Sequence, residues 1–255
     1  MSGSTGLVSL VGAGPGDPEL LTVRAMQRLQ RAEVVLYDAL VPEAVVALAR
    51  DAKCMCVGKR GGQPSYPQDQ ITWLLIRLAQ QGRRVVRLKG GDPYVLGRGS
   101  EEALALARAG ICVEVVPGLS LALCGPAAAG IPVTHRGRSS GVVIVSGHSA
   151  EAYAPILRGL EPGCATVVVL MGIGAAGAIA ALLLAHGWSA ATPAAVVLGA
   201  WTIDQAEWRG PLATLGAFSR APSQAHLPGT IVIGATADLG RLAGEASLAR
   251  PTPAA

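Results

Sequence analysis

The segment Lys89–Val95 has the residue types of a cofactor-binding turn at the end of a strand. Gly90 and Gly91 lack a Cβ atom, so a ligand can approach their backbone closely. Asp92 can accept hydrogen bonds from ribose hydroxyls or from an ammonium group. We therefore predict that the turn at Gly90–Pro93 helps to hold a small cofactor.

Two charged residues that follow this turn, Arg98 and Glu101, allow two functional interpretations. They can contact a substrate, or they can form an ion pair with each other. A structural interpretation is that Ser100 caps the next helix, with Glu101 and Glu102 in its first turn, where acidic side chains suit the helix dipole. The functional and the structural interpretations are compatible with each other, and both are predictions.

The segment Gly12–Asp17 lies between a predicted strand and a predicted helix, where a dinucleotide-binding fingerprint would lie. Its spacing differs, because the fingerprint needs a third glycine where Asp17 stands. Pro15 also removes a backbone N–H that a pyrophosphate would use, and the Asp17 carboxylate would repel phosphate. These residues disfavour a nicotinamide or flavin cofactor. A tight turn in which Asp17 caps the next helix is the structural alternative.

Two later segments also hold candidate residues. Thr134–Arg136 combines His135 with Arg136, a fixed cation that suits carboxylates. Met171–Gly172 follows an apolar run, where a methionine either packs in the core or contacts a ligand. The residues alone do not decide whether His135 is structural or catalytic, or whether Met171 packs in the core or contacts a ligand.

Composition and spacing exclude several classes of protein. The chain has 255 residues, of which 51% are hydrophobic and 15% are charged, which suffices for a sizeable core. The net charge of +4 is mild and the arginines are scattered, so a nucleic-acid partner is not indicated. The histidines and cysteines show no metal-binding spacing, and no nucleophile elbow with a Ser–His–Asp order is indicated. We therefore expect neither a metal site nor a serine hydrolase.

Strands and helices alternate in the first half of the chain, and they must position these residues. The alternation predicts a mainly parallel sheet with helices on both faces, in which ligands bind beyond the carboxyl ends of the strands. One helix is predicted over Pro18–Arg31. The loops after four predicted strands form the expected binding rim: Leu7–Val11, Val34–Tyr37, Lys53–Val57 and Arg84–Leu88.

The second half predicts a more mixed sheet, with antiparallel pairing near Trp201–Leu212. Ala165–Ala185 is uncharged and about long enough to span a bilayer. Its β-branched first part and the following glycines nevertheless predict a buried strand, a turn and a helix, so no membrane partner is expected. We predict two α/β domains, residues 1–117 and 118–243, and a disordered tail over residues 244–255. The polar N-terminus shows no signal peptide, and a cytoplasmic location is expected.

Several of these segments together resemble the tetrapyrrole methyltransferase family. They follow the family's order over roughly residues 7–240. The resemblance implies a tetrapyrrole methylase-like fold of two α/β domains, with the active site in the trough between them. The segments that carry it are Val11–Pro18, Leu20–Thr22, Val57–Arg60, Leu88–Glu102, Val116–Gly118, Ala129–Arg136, Ser146–His148 and Thr192–Val197.

The resemblance implies a cofactor and roles for individual residues. The cofactor is S-adenosyl-L-methionine, released as S-adenosyl-L-homocysteine, and no metal is implied. Asp38 and Lys59 match positions proposed for acid–base chemistry, and Arg98 and Glu101 match residues that are both catalytic and substrate-facing. Arg136 matches a substrate-binding position. The positions that match cofactor contacts are Pro15, Gly90, Gly91, Asp92, Val95, Ser120, Leu121, Met171 and Ala200.

Within the family, the resemblance is strongest to the members that methylate uroporphyrinogen III at C2 and C7, giving precorrin-2 via precorrin-1. Arginines and lysines at the rim can bind the carboxylates of such a substrate. A homodimer is expected by the same resemblance, which leaves open whether the product feeds sirohaem, cobalamin or haem d1. Two alternatives stand beside this reaction: a related corrin-ring (precorrin) methyltransferase, and a non-catalytic tetrapyrrole-binding protein.

Overall fold

The computed structural model of the chain describes residues 6–58 and 66–239. The chain divides into two compact units, Met1–Ser120 and Leu121–Ala255. Within the described parts, no helix is long and apolar enough to cross a membrane. Lys59 and the tail predicted over residues 244–255 lie outside the described residues.

The first unit contains a five-stranded sheet in the order β3-β2-β4-β1-β5. Every neighbouring pair is parallel, which confirms the predicted parallel sheet. The carboxyl ends of the strands therefore share one edge, and the loops that follow them meet there. The strands are β1 Leu7–Gly12, β2 Val34–Tyr37, β3 Lys53–Cys56, β4 Val85–Lys89 and β5 Cys112–Val116.

Helices cover both faces of this sheet. Leu29 and Val45 pack in the apolar cluster on one face, whereas Leu75 and Leu106 pack in the cluster on the other. The strands are buried on both faces, which explains their nearly continuous apolar sequences. The helices are α1 Val23–Arg31, α2 Glu43–Val46, α3 Gln68–Gln80 and α4 Gly99–Arg108.

The continuous helix predicted over Pro18–Arg31 is wrong, because two local caps divide the segment. Asp17 accepts a hydrogen bond from the backbone N–H of Glu19 at 2.9 Å and caps a short 3-10 turn, Pro18–Leu20. The backbone is then extended as far as Thr22, whose hydroxyl accepts from the N–H of Ala25 at 3.1 Å and begins α1.

The second unit contains a mixed five-stranded sheet in the order β6-β7-β10-β8-β9. β6 and β7 are parallel, whereas the other neighbouring pairs are antiparallel. The predicted mixed sheet and the strand–turn–helix over Ala165–Ala185 are thus confirmed. The strands are β6 Val142–Ser146, β7 Thr166–Leu170, β8 Pro193–Leu198, β9 Ala206–Pro211 and β10 Gly229–Ile233. The helices are α5 Leu121–Ala128, α6 Ala150–Arg158, α7 Ala176–Ala185 and α8 Leu212–Leu215.

Candidate active site

Three loops at the carboxyl edge of the parallel sheet are joined backbone to backbone. Gly14 and Gly91 exchange hydrogen bonds, with N···O distances of 2.9 and 3.2 Å. A Cβ atom at Gly12 would lie 2.6 Å from the Cα of Gly118, and one at Gly118 would lie 2.4 Å from the Gly91 carbonyl oxygen. Glycine is therefore required at Gly12 and Gly118 by the contact between loops, whether or not a ligand binds.

Gly90 and Asp92 have different roles within the predicted cofactor turn. Gly90 is exposed, and a Cβ atom there would meet no atom within 4 Å, so the space beside it is open. Asp92 Oδ1 accepts from the N–H of Tyr94 at 2.8 Å, and Oδ2 accepts from the N–H of Gly118 at 3.1 Å. The Asp92 carboxylate thus shapes its own loop and ties it to the end of β5.

The other predicted cofactor positions of the first unit follow strands of the same sheet. Pro15 is buried between the two glycines of the loop after β1. Val95 is half-buried, and its N–H donates to the Asp92 carbonyl at 3.3 Å. Ser120 is buried at 7% exposure and follows β5. The sheet thus brings these positions to the edge where Gly90–Asp92 lies.

Arg98 and Glu101 form an ion pair on the surface. The Arg98 guanidinium donates through Nε at 3.0 Å and through Nη2 at 2.8 Å to the two carboxylate oxygens of Glu101. These hydrogen bonds lower the pKa of Glu101 and raise that of Arg98. Arg98 is in the left-handed region, with φ 59°, and α4 begins directly after it at Gly99. Ser100 therefore lies inside the helix, and its predicted role as the cap is wrong.

A groove of about 640 Å³ adjoins this ion pair on the first unit. It runs between α3 and α4, and Trp73 and Ile76 supply its apolar part. Trp73 is 61% exposed. Arg98 and Glu101 are therefore accessible to a ligand that enters from solvent.

Asp38 lies at the same edge, in contact with two buried cations, Arg87 and Lys89, whose roles the sequence analysis missed. The Arg87 guanidinium donates through Nη2 to Asp38 Oδ1. Arg87 and Lys89 each contact Glu102 Oε1 at 3.2 Å. Burial, and then the Arg87 charge, lower the pKa of Lys89, whereas Asp38 and Glu102 oppose this shift. We call Asp38, Arg87, Lys89 and Glu102 the buried charge cluster.

A signal for this cluster was present in the sequence. Arg87 and Lys89 are two residues apart in the otherwise apolar strand β4, so both side chains lie on one face. A strand buried on both faces cannot hold two cations without a buried anion. That requirement points to an acidic residue on a helix of the same face, which is where Glu102 lies.

The predicted cofactor positions of the second unit share an edge of its sheet. β7 and β8 run in the same direction, because each is antiparallel to β10 between them. Met171 follows β7 and is 54% exposed with φ 56°, so it is not a core residue. Ala200 follows β8 and is buried at 3% exposure. The carbonyl of Leu121 accepts from the Thr230 hydroxyl at 3.4 Å, at the start of β10 and thus at this edge.

Arg136 lies in a tight turn of the second unit. His135 and Ser139 exchange backbone hydrogen bonds of 2.8 and 3.0 Å that close the turn, and Gly137 supplies its positive φ of 81°. Arg136 is exposed at the tip of this turn. No group of three or more His, Cys, Asp or Glu side chains within the described ranges could hold a metal ion.

The architecture defines the class: an α/β protein with one parallel and one mixed sheet and with polar strand-end loops. The chain belongs to the tetrapyrrole (corrin/porphyrin) methylases, because the model of that family matches residues 7–216.

Individual relatives extend this likeness. A Yersinia enterocolitica siroheme synthase is 46% identical over 92% of this chain but 49% of its own length. The chain thus spans about half the length of the curated relatives it matches. The structure of a Thermus thermophilus uroporphyrin-III C-methyl transferase complexed with S-adenyl homocysteine is 42% identical, with a TM-score of 0.79, over 92% of this chain and 100% of that one. A cobalt precorrin-4 methyltransferase is 25% identical, with a TM-score of 0.79, over 93% of this chain and 98% of that one.

Proposed function

We propose that the chain is an S-adenosylmethionine-dependent C-methyltransferase that converts uroporphyrinogen III to precorrin-2. The observation that carries this proposal is the 42% identity to the Thermus thermophilus enzyme over the whole of that chain. The lower identity of 25% to the cobalt precorrin-4 enzyme favours uroporphyrinogen III over a corrin-ring substrate.

The carboxyl edge of the first unit has the features that S-adenosylmethionine needs. The open space beside Gly90 accommodates a ligand against the backbone. The Asp92 carboxylate, which accepts from the N–H groups of Tyr94 and Gly118, still has lone pairs for further donors. We propose that Gly90, Gly91 and Asp92 hold the cofactor together with the other positions that match the family's contacts. These are Pro15, Val95 and Ser120 in the first unit, and Leu121, Met171 and Ala200 in the second.

Bound S-adenosylmethionine supplies a methyl group that its sulfonium activates. Methylation of a pyrrole carbon leaves a positive charge on the ring, which is discharged when one ring or bridge proton leaves for a base. We propose Asp38 as this base, through Oδ2, since Arg87 already occupies Oδ1. Lys59 is proposed to assist in proton transfer.

The remaining charged residues suit a substrate with many carboxylates. Arg136 is exposed and can bind a carboxylate through two parallel hydrogen bonds. Arg98 can do the same once it exchanges Glu101 for a substrate carboxylate, and Glu101 is then free to accept a substrate N–H. Exchange at this pair is inexpensive, because both side chains are 56% exposed.

Anaerobic incubation with uroporphyrinogen III and S-adenosylmethionine tests the reaction. We expect mass spectrometry and absorbance to show a product with two added methyl groups. Reactions without S-adenosylmethionine, or with a corrin intermediate as substrate, are the controls. Unchanged uroporphyrinogen III beside a methylated corrin would contradict the proposal and favour the corrin-ring alternative. Failure to bind S-adenosylhomocysteine in calorimetry would favour the non-catalytic alternative.

A bulky side chain at Gly90 tests the cofactor site separately. Gly90→Leu extends a side chain into the open space beside the turn, and its Cβ atom meets no protein atom within 4 Å, so we expect intact folding and at least tenfold weaker S-adenosylhomocysteine binding. Gly159→Leu is the matched control, because a Cβ atom there makes only ordinary contacts at 3.6 Å or more. Unchanged affinity in Gly90→Leu would remove Gly90 from the cofactor site.

The resemblance to the family also supports a homodimeric, cytoplasmic enzyme. Light scattering of the purified chain tests the oligomeric state, and fractionation of the source cells tests the location. A monomer at micromolar concentration would contradict the first of these expectations.

A further inference from the structure

The Glu102 side chain is buried at 0% exposure and collects three donors on a single oxygen. Gln68 Nε2 donates to Oε1 at 2.8 Å, and Arg87 Nε and Lys89 Nζ each do so at 3.2 Å. Oε2 has no hydrogen-bond partner among the residues that the structure describes. A fully buried carboxylate is costly, so this arrangement fits a residue retained for the cations it orients.

Arg87 transmits this orientation to the edge of the sheet. Its Nη1 donates to the Leu36 and Leu88 carbonyls at 3.4 and 3.2 Å, its Nε donates to Glu102, and its Nη2 donates to Asp38. All three guanidinium nitrogens are thus engaged, and the planar group cannot rotate without breaking several bonds.

Asp38 is the one member of the buried charge cluster that reaches solvent, at 32% exposure against 3% or less for the other three. Arg87 binds Oδ1, and Lys89 Nζ lies 4.0 Å from Oδ2. The two cations therefore face Asp38 from β4, and Glu102 faces both cations from α4. Glu101, next on α4, also interacts electrostatically with Lys89.

We infer that Glu102 is a positioning residue for catalysis, which orients Arg87 and Lys89 so that they hold the Asp38 carboxylate towards the substrate. This inference rests on the proposed function, in which Asp38 accepts the proton. Glu102 touches neither substrate nor cofactor in this scheme and acts only through the two cations.

Glu102→Gln tests the inference with little change of shape. The amide oxygen can replace Oε1 towards the three donors, and the NH2 group takes the place of Oε2, which has no described partner to lose. The variant removes the negative charge and places an NH2 group, a donor, where Oε2 was. We expect kcat to fall by roughly 10–100-fold, while KM for uroporphyrinogen III and the affinity for S-adenosylhomocysteine stay within about twofold of the wild type.

The pH profile separates positioning from a general loss of structure. Without the Glu102 charge, Asp38 lies beside two unbalanced cations, so the acid limb of kcat moves to lower pH. Lys89→Met removes a cation instead and moves the acid limb to higher pH. Glu114→Gln, which breaks a different ion pair of the same sheet, leaves kcat and the profile unchanged.

Glu102→Asp keeps the charge and is expected to recover part of the lost kcat. Normal kcat in Glu102→Gln, or acid limbs that move in the same direction in Glu102→Gln and Lys89→Met, would overturn the inference. Wild-type turnover tests the proposed function independently. If the wild type makes no dimethylated product, the proposed function is contradicted. That result does not depend on the rates of the Glu102 variants.

Discussion

The two units bury polar side chains of different kinds. Among the described residues, the fully buried charges all lie in the first unit, at Arg87, Lys89 and Glu102. The described part of the second unit buries no charged residue, and its buried Ser and Thr hydroxyls are those of Ser139, Thr166, Thr230 and Thr236.

Three of these hydroxyls, on Ser139, Thr166 and Thr236, form one hydrogen-bonded network. Thr166 Oγ1 lies 2.9 Å from Thr236 Oγ1 and donates to Ser139 Oγ at 3.1 Å, and Ser139 Oγ in turn donates to the Gly141 carbonyl at 2.9 Å. A hydroxyl both donates and accepts, so a small network can satisfy all of its members cheaply. Buried ions have no such advantage, because the free energy lost on removing them from water can exceed the free energy of their mutual attraction. Stability therefore explains the buried charges of the first unit poorly. A functional requirement for charge at the strand ends, where Asp38 lies, explains them better.

The largest expected effect comes from removing the anion of the buried charge cluster. Glu102→Ala leaves Arg87 and Lys89 without their buried counter-ion and should lower the free energy of unfolding by about 3–5 kcal/mol. Chemical denaturation followed by circular dichroism measures the loss. Glu101→Ala, in the exposed ion pair on the same helix, is the control and should cost far less, because solvent screens that pair. Equal losses in the two variants would abolish the distinction between buried and exposed charge.

An intermediate effect is expected in the hydroxyl network. Thr166→Val keeps the shape of the side chain but leaves the Ser139 and Thr236 hydroxyls short of a partner, which should cost about 1–3 kcal/mol of unfolding free energy. Methyl transfer by the folded variant should be unaffected, since Thr166 lies at the opposite end of β7 from Met171. The exposed Thr214→Val is the control, with a change within about 0.5 kcal/mol. A large loss of turnover in Thr166→Val would show that both units couple buried polarity to function.

The smallest expected effect is at the partly exposed ion pair of Arg28 and Glu114. Hydrogen bonds from Arg28 lower the pKa of Glu114 in the folded protein below its usual value of 4.5. The pair therefore stabilises the fold fully above pH 4.5, and this stabilisation is lost as the pH falls through the lower pKa of Glu114 in the folded protein. Glu114→Gln should cost about 1 kcal/mol or less at pH 7, and less still in acid. Denaturation of both proteins from pH 7 to pH 3 measures the difference. A difference that grows towards acid would reverse the assigned direction of the pKa shift.

Periodicity and turn residues predicted most of the fold, because those signals are local. The apolar run that became β2 has the predicted bounds, the first part of Ala165–Ala185 became β7, and both sheets have the predicted character. The segment Pro18–Arg31 failed because its apolar spacing continues across two successive caps, at Asp17 and Thr22. Apolar spacing does not reveal that a second cap, at Thr22, ends the first turn and begins a new helix.

The candidate site was less predictable, because its contacts join distant parts of the chain. Gly91 was predicted to hold a ligand, and the structure also packs its loop against the loops of Gly12 and Gly118. Asp92 was predicted to accept hydrogen bonds from a ligand, and its two oxygens accept from backbone N–H groups within the first unit. Only the strand order, which places β1 between β4 and β5, makes these contacts possible.

The buried charge cluster contains two cations and two carboxylates, so its formal charges cancel when Lys89 is protonated. Such a set produces almost no field beyond a Debye length of about 8 Å at physiological ionic strength. A polyanion in solution is therefore steered by the net charge of +4 on the chain and not by this cluster. The rate of substrate encounter should then fall as salt is added, while the rate of the chemical step beside Asp38 stays insensitive to salt.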